Sequence, residues 1–312
     1  LKKAIGLDVG GTKILAAVVN EKGKITYQKK YPVEPFKGDR FPEYVVQVIE
    51  EVLDTSGEEL SSIKGIGIAT AGIIDSEEKK IVFAQNLGLE HCAIGEALKN
   101  HFNIPVKLYN DANAAAVAEY TWGHKKAEHL AYVTIGTGVG AGIISHGKLI
   151  RGFSDNAGEF GHISVNVHGE RCGCGHRGCL ELYTSGPAME QSVAEKRGLS
   201  GRISMREINE MADDGDVVCR EVLDHAGYHL GMGLVNLVHL FNSTSIVLGG
   251  GVMQSGEYLF ERIRETVDTY LMNGLKGSVQ LHRSRFSSEI GALGAGSGFF
   301  ANSEEKSRIS LV

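Results

Sequence analysis

The chain has 312 residues, 42% of them hydrophobic and 22% charged, and a formal net charge of −6 at pH 7. That is apolar side chain enough for two ordinary cores, and an acidic balance with no concentrated Lys/Arg face argues against a nucleic-acid partner. The most apolar long window, Leu230 to Met253, is broken by Asn236, His239, Asn242 and Gly249 to Gly251, so it reads as buried helix plus strand and not as a membrane span. The N-terminal LKKAIGLDVGG turns straight into a strand, without the apolar region of a secretory leader, and a cytoplasmic location is expected.

In chain order, Ala4 to Leu7, Ile14 to Asn20 and Ile25 to Lys29 are β-rich runs joined by short Gly-containing turns, which predicts an antiparallel meander. Tyr44, Val45, Val48, Ile49, Val52 and Leu53 recur at helical spacing between Pro42 and Gly57. A buried strand (Ile63 to Thr70), a helix (Ile94 to Phe102), a strand (Val106 to Tyr109) and an Ala-rich helix (Ala112 to Tyr120) complete a βββαβαβα order. After a polar link the opening theme returns: Leu130 to Ile135, the turn Gly136-Thr-Gly-Val-Gly140, and Ala141 to Ser145. Two related halves facing each other across a cleft are the natural inference. A helical region from Pro187 to Leu230, a long helix ending near Phe241, strand Ser245 to Leu248, helix Glu257 to Leu271, strand Val279 to His282 and helix Gly291 to Phe299 close the chain, with a loose tail from Asn302.

The unusual residues are concentrated between Arg151 and Leu182. Cys172, Cys174 and Cys179 are spaced C-x-C-x4-C, with His162 ten residues upstream. Three thiols and an imidazole in one short loop are the ligand set of a closed tetrahedral zinc site. A disulfide is the weaker reading, because neighbours in C-x-C do not easily bridge and the cysteine count, five, is odd. Glycine turns between strands leave backbone amides open to an anion, and Asp8-x-Gly10-Gly11-Thr12 adds a carboxylate suited to Mg²⁺ and a hydroxyl. None of the turns matches a P-loop or a dinucleotide fingerprint. Asp111, ahead of an Ala-rich helix, reads on its own as a helix cap.

Taken together these motifs resemble the ROK family of the actin-like ATPase superfamily, and within it the bacterial glucokinases. The resemblance runs from Ile5 to about Ala295 and rests on DVGGTK (Asp8 to Lys13), YNDANAAAVAE (Tyr109 to Glu119), TIGTGVGAGII (Thr134 to Ile144), GEFGH (Gly158 to His162), CGCGHRGCLE (Cys172 to Glu181) and GGGV (Gly249 to Val252). It implies an α/β, two-lobed actin-like ATPase (ribonuclease H-like) fold of duplicated βββαβα units with a central cleft. Residues 1–121 would form the first lobe and 122–290 a second lobe with the zinc loop, while a C-terminal helix, 291–312, packs back on the first. It also implies ATP-dependent phosphorylation of a hexose 6-hydroxyl, glucose foremost, by a homodimer or higher homo-oligomer. The alternatives are a kinase for N-acetylmannosamine, N-acetylglucosamine, fructose or allose, or the sugar-sensing domain of a repressor. Such repressors carry a DNA-binding domain ahead of the first strand, whereas this meander starts at residue 4, which favours the kinase.

By the same resemblance Asp111 is the general base, and Asn110, Asp111, Glu159, His162 and Glu181 bind the sugar. Asp8 helps hold Mg²⁺, Gly10, Gly11, Thr12, Thr137 and Gly138 cradle the ATP phosphates, and Gly249 and Gly250 border the adenosine. His162, Cys172, Cys174 and Cys179 hold a structural zinc that stiffens the sugar clamp, so removing a ligand is expected to weaken sugar binding and spare ATP. Being at a helix N-terminus is expected to lower the Asp111 pKa. The chain departs from the family at Thr70-Ala71-Gly72, where Pro-Gly is usual, and at Gly88-Leu89-Glu90, where an aromatic is common. Both departures fall where the sugar lobe is shaped.

Overall fold

The structure, a computed structural model, describes residues 1–33, 38–124 and 127–300. Strands β1 (Lys3–Val9), β2 (Lys13–Asn20) and β3 (Ile25–Pro32) form the expected meander. Helix α1 (Phe41–Ser56) has Pro42 in its first turn, where a missing N–H costs nothing, and stops at Gly57 in the left-handed conformation. It buries Phe41, Tyr44, Val45, Val48, Ile49 and Val52. Strand β4 (Ile63–Thr70) then pairs parallel to β1.

A small antiparallel sheet not expected from the sequence follows: β5 (Ile73–Asp75), β6 (Lys80–Ala84) and β7 (Leu89–Cys92). Its strands are three to five residues long, and Ile73 and Phe83 stay 43% and 41% exposed, so no alternating apolar run announces it. Helix α2 (Ile94–Phe102), strand β8 (Val106–Asn110) and helix α3 (Asp111–Ala118) close the first half. The chain leaves α3 through a π-helical turn, Glu119–Gly123, where the sequence suggested an α-helix as far as Tyr120.

The second half brings β9 (Leu130–Ile135), β10 (Val139–Ser145), β11 (Lys148–Leu149) and α4 (Glu181–Thr184). The long helical region resolves into α5 (Gly186–Arg197), α6 (Met205–Asp213) and α7 (Val217–Phe241), capped at their starts by Ser185, Ser204 and Asp216. Ser204 and Glu207 form a reciprocal capping box. Strand β12 (Ser245–Gly249), helix α8 (Tyr258–Tyr270), strand β13 (Gln280–Arg283) and helix α9 (Ile290–Ser297) follow. The last helix ends at Ser297, short of the expected Phe299, and residues 298–300 are in a turn; the rest of its expected continuation to 312, and the loose tail, fall on residues 301–312, outside the described ones.

The two large sheets have the same plan. Their strand orders are β3-β2-β1-β4-β8 and β11-β10-β9-β12-β13, each with the strand that comes first in the chain at its centre. Contacts divide the chain into one unit of Leu1–Glu128, Gly142–Ala157 and Ser288–Val312, and another of His129–Ala141 and Gly158–Ser287. In the first unit, Ile5, Leu7, Ile66 and Ile68 pack with Phe41, Val45 and Ile49 of α1. In the second, Ala131, Val133, Ile246 and Leu248 pack with α5 to α8. Among the described residues no helix is long and apolar enough to cross a membrane.

Helix α3 is buried on nearly every side, with five buried alanines and a buried Asn113, as befits a helix packed within its own unit. A Cβ at Gly294 of α9 would lie 1.8 Å from the Ala114 carbonyl oxygen of α3, so the two backbones touch. Gly294→Ala should therefore cost about 1–3 kcal/mol of stability through overpacking. A urea midpoint unchanged in that variant would contradict this packing.

Candidate active site and metal centre

Strand register decides which side chains meet in the first unit. Asp8 of β1 lies beside Ala69 of β4 and Val9 beside Thr70, while Thr70 lies beside Asn110 of β8. Three parallel strands therefore end level, and their ends deliver Asp8, Ala71-Gly72 and Asn110-Asp111 to one edge, where ligands bind in sheets of this kind. Gly10, Gly11 and Thr12 form the β1–β2 turn at the same edge, closed by Gly10 N–H donating to the Lys13 carbonyl at 3.0 Å, and the Thr12 side chain is exposed. The carboxyl group of Asp8 lies against the first turn of α9, 2.7 Å from where a Cβ on Gly291 would stand.

The helix cap is Asn110, not Asp111. Asn110 Oδ1 accepts from the N–H groups of Ala112 (3.0 Å) and Asn113 (3.3 Å), which commits its oxygen to the helix and leaves its amide N–H₂ to donate elsewhere. Asp111 is the first residue of α3, and its Oδ1 accepts from Ala112 N–H at 2.8 Å. Burial pushes the Asp111 carboxyl above the ordinary carboxylate range and outweighs the Ala112 N–H that favours the charge. The expected lowering by the helix terminus is thus overturned, because desolvation is the larger effect. Asp8 is pushed up to about 6, first by burial and next by the negative charge of Asp111, with Lys13 pulling the other way.

That shift has a consequence for stability. A carboxyl group whose folded pKa is raised favours the folded state when protonated, so its penalty is absent below pH 3.8, grows as pH rises, and is complete above about 6. Asp8→Asn should remove that penalty and stabilise the ligand-free protein near pH 7–8 by up to about 3 kcal/mol, with no gain below pH 4. Urea titrations at the two pH values check it; an equal effect at both would contradict it.

In the second unit, Gly249 of β12 lies beside Thr134 of β9, so the Gly249-Gly250 corner and the Gly136–Gly138 turn share one sheet edge. Gly250 has φ 86°, and a Cβ there would stand 2.2 Å from the Ile135 carbonyl oxygen. That glycine is therefore required by packing, whatever it binds. Thr137 is exposed at the tip of its turn, and the turn is closed by Gly136 N–H donating to the Gly138 carbonyl at 2.9 Å. Glu159 is exposed, and its carbonyl accepts from His162 N–H at 3.0 Å. Glu181 opens α4, and its Oε2 accepts from Val139 N–H at 2.8 Å. Sequence reasoning missed that link, which joins residues 42 apart and leaves no local signal.

His162, Cys172, Cys174 and Cys179 converge, with all four ligand atoms within 4.8 Å of one another. Cys172 N–H donates to the His176 carbonyl (2.8 Å) and Gly175 N–H to the Cys172 carbonyl (3.0 Å), a tight knuckle that brings the first two thiols together. Leu180 N–H donates to the Ile163 carbonyl (2.9 Å), which sets Cys179 beside His162. A tetrahedral zinc with bonds of about 2.3 Å to sulfur and 2.0–2.1 Å to nitrogen separates its ligand atoms by about 3.5–3.8 Å. Here Cys172 Sγ is 3.8 Å from His162 Nδ1, and Cys174 Sγ is 3.6 Å from Cys179 Sγ. Burial and the neighbouring Cys174 and Cys172 push the Cys179 thiol up to about 12, so three thiolates this close need a cation to offset them. The donor set and its spacing fit zinc.

Residues 4–299 match the ROK family. The chain belongs to the ROK family. Its α/β fold of repeated sheets is the two-lobed actin-like ATPase fold of ROK kinases. The ROK hexokinase of Thermus thermophilus is similar in structure, with 32% identity and a TM-score of 0.83 over 98% of this chain and 99% of that one. A ROK family glucokinase from Streptomyces griseus, solved in complex with glucose and AMPPNP, shares 31% identity with a TM-score of 0.80 over 94% and 98%. A xylose repressor of Bacillus subtilis (strain 168) is 30% identical over 295 residues, 94% of this chain and 76% of that protein. ROK proteins similar to this chain thus include both kinases and repressors.

The unexpected small sheet adds to the site. A cavity of about 190 Å³ in the first unit is lined by Val9, Gly11, Ala71, Ile73, Phe83 and Asn86, among others. Both departures from the family pattern adjoin it: Ala71 and Gly72 line it, and so does Leu87, which precedes Gly88-Leu89-Glu90.

Proposed function

We propose that this ROK protein is a hexose kinase that transfers the γ-phosphoryl group of ATP to the 6-hydroxyl of a hexose, glucose foremost. The observation that carries this reading is the pair of carboxyl groups, Asp8 and Asp111, both raised in pKa by burial, at the level ends of parallel strands, two of which run into Val9 and Ala71 of the cavity wall. A carboxylate held in a poorly hydrated place binds a proton more readily than one in water, which suits a base acting on an alcohol. Asp111 takes the hydroxyl proton as the O6–P bond forms and the bond from the γ-phosphorus to the bridging oxygen of ADP breaks. Asn110 donates from its free amide to the sugar, and its oxygen, tied to α3, fixes the direction of that amide. Asp8 would hold Mg²⁺, which offsets phosphate charge when bound. The like-charge strain between Asp8 and Asp111 is what a divalent cation relieves.

In the second unit Thr137 and Gly138 receive phosphate oxygens, Gly249 and Gly250 border the adenosine, and Glu159, His162 and Glu181 contact the sugar. Four protein ligands leave the metal no open position, so zinc is structural and stiffens the loop that carries Glu159 and Glu181. A reducing, cytoplasmic setting belongs to this reading, since the three cysteines of the cluster must stay reduced to bind metal.

A coupled ADP-release assay across glucose, mannose, fructose, allose, N-acetylglucosamine and N-acetylmannosamine tests the proposal. Turnover highest on glucose is expected. The similarity to xylose repressors supports a second reading, a sugar-sensing domain. Sugar binding without turnover on any hexose would favour it and sink the kinase.

A further inference from the structure

We infer that Glu181 is a positioning residue for the nucleotide-phosphate turn, and that through it the His162, Cys172, Cys174 and Cys179 cluster sets the conformation of that turn. The inference rests on the reading of Gly136–Gly138 as a phosphate turn.

The links are short, two peptide units from Cys179 to Glu181 and one hydrogen bond from there to the turn. Cys179 is a member of the metal cluster and is fully buried, as is Leu180 after it, whose N–H is held by the Ile163 carbonyl at 2.9 Å. The next residue is Glu181, so the backbone that carries its carboxylate is fixed within two residues of a metal ligand. Its Oε2 accepts from Val139 N–H at 2.8 Å and stands 2.6 Å from the place of a Cβ on Gly138. The carboxylate thus occupies the space that a side chain at position 138 would need. The same short stretch grips the other side of the turn, where Gly186 N–H donates to the Gly136 carbonyl at 2.8 Å.

Electrostatics gives this contact a direction. A carboxylate beside an anion-binding turn repels phosphate, so its charge is a cost for nucleotide binding. What offsets the cost is order, because a turn whose amides already point at the ligand needs no rearrangement on binding. The acceptor oxygen of residue 181 is therefore what the turn needs, and its negative charge is not. This also revises the expectation that losing the metal spares ATP: a loosened Cys179 releases Glu181, and Glu181 releases Val139.

The test is nucleotide affinity measured by calorimetry with Mg²⁺ and AMPPNP in the absence of sugar. Glu181→Ala, which has no acceptor, should bind about tenfold more weakly, the scale of one lost charge-assisted hydrogen bond. Glu181→Gln keeps an acceptor and drops the charge, so its affinity should equal or exceed that of the parent. Stripping the metal with a chelator should weaken AMPPNP as Glu181→Ala does, with recovery on adding zinc. Val139 amide exchange, followed by NMR, should be fast in Glu181→Ala and slow in Glu181→Gln. Thr137→Val separates the inference from the reading beneath it. If Thr137→Val weakens AMPPNP but Glu181→Ala does not, the positioning role is wrong and the phosphate turn stands. If neither variant changes affinity, the phosphate-turn reading is wrong and the inference goes with it. If Glu181→Ala does not fold, a Glu181→Gln protein with weakened AMPPNP binding overturns the inference by itself.

Discussion

Asp111→Asn should lower kcat by about 10²–10⁴, the usual worth of a general base, while the dissociation constant for the hexose changes only a few-fold. The asparagine keeps an oxygen for the Ala112 N–H that Asp111 Oδ1 now accepts, so the first turn of α3 is undisturbed and the loss reports on proton transfer alone. The wild-type pH profile should agree. A base must be ionised, and burial raises the pKa of Asp111, so the rate should fall with acid at a pH above the ordinary 3.8 of an aspartate. Asp8, titrating near 6, adds to that acid limb through weakened metal–nucleotide binding. Near-normal turnover in Asp111→Asn, or an acid limb at 4 or below, would dismiss the mechanism.

Cys179→Ser should lose the metal and at least about 3 kcal/mol of stability in the second unit, because binding free energy at such a site is folding free energy. The thiol is fully buried, and its loop is otherwise held by a handful of backbone hydrogen bonds between 162 and 180. Metal analysis of the wild-type protein should find about one zinc per chain. Cys92→Ser is the control, since Cys92 stands outside the cluster. Chelation of the wild-type protein should reproduce the lowered melting temperature of Cys179→Ser. A metal-free wild-type protein that melts at the same temperature before and after chelation would remove zinc from this account.

The sequence by itself determined the parts of this protein whose causes are local. The meander, α1 and β4 follow from short β-rich apolar runs and helical spacing over seven to sixteen residues, which water and sterics read without help from distant chain. The metal ligands were legible because C-x-C-x4-C places three thiols in one loop wherever that loop lies. The Asn110-Asp111 pair and the glycine turns could be located at strand ends from the sequence, while the roles proposed for them came from the resemblance to a family. Tertiary structure decided the rest. The β5–β7 sheet has strands too short and too exposed to show a period, and it forms because β6 pairs with β5 on one side and with β7 on the other. Which residue caps α3 was settled by backbone geometry, with Asn110 taking the place the sequence had offered to Asp111. The direction of the Asp111 pKa was settled by packing, since desolvation depends on everything that surrounds a group and the helix terminus on only its own turn. The bond from Val139 to Glu181 exists because the metal loop returns the chain to a turn left 42 residues earlier, and no window of sequence contains both ends.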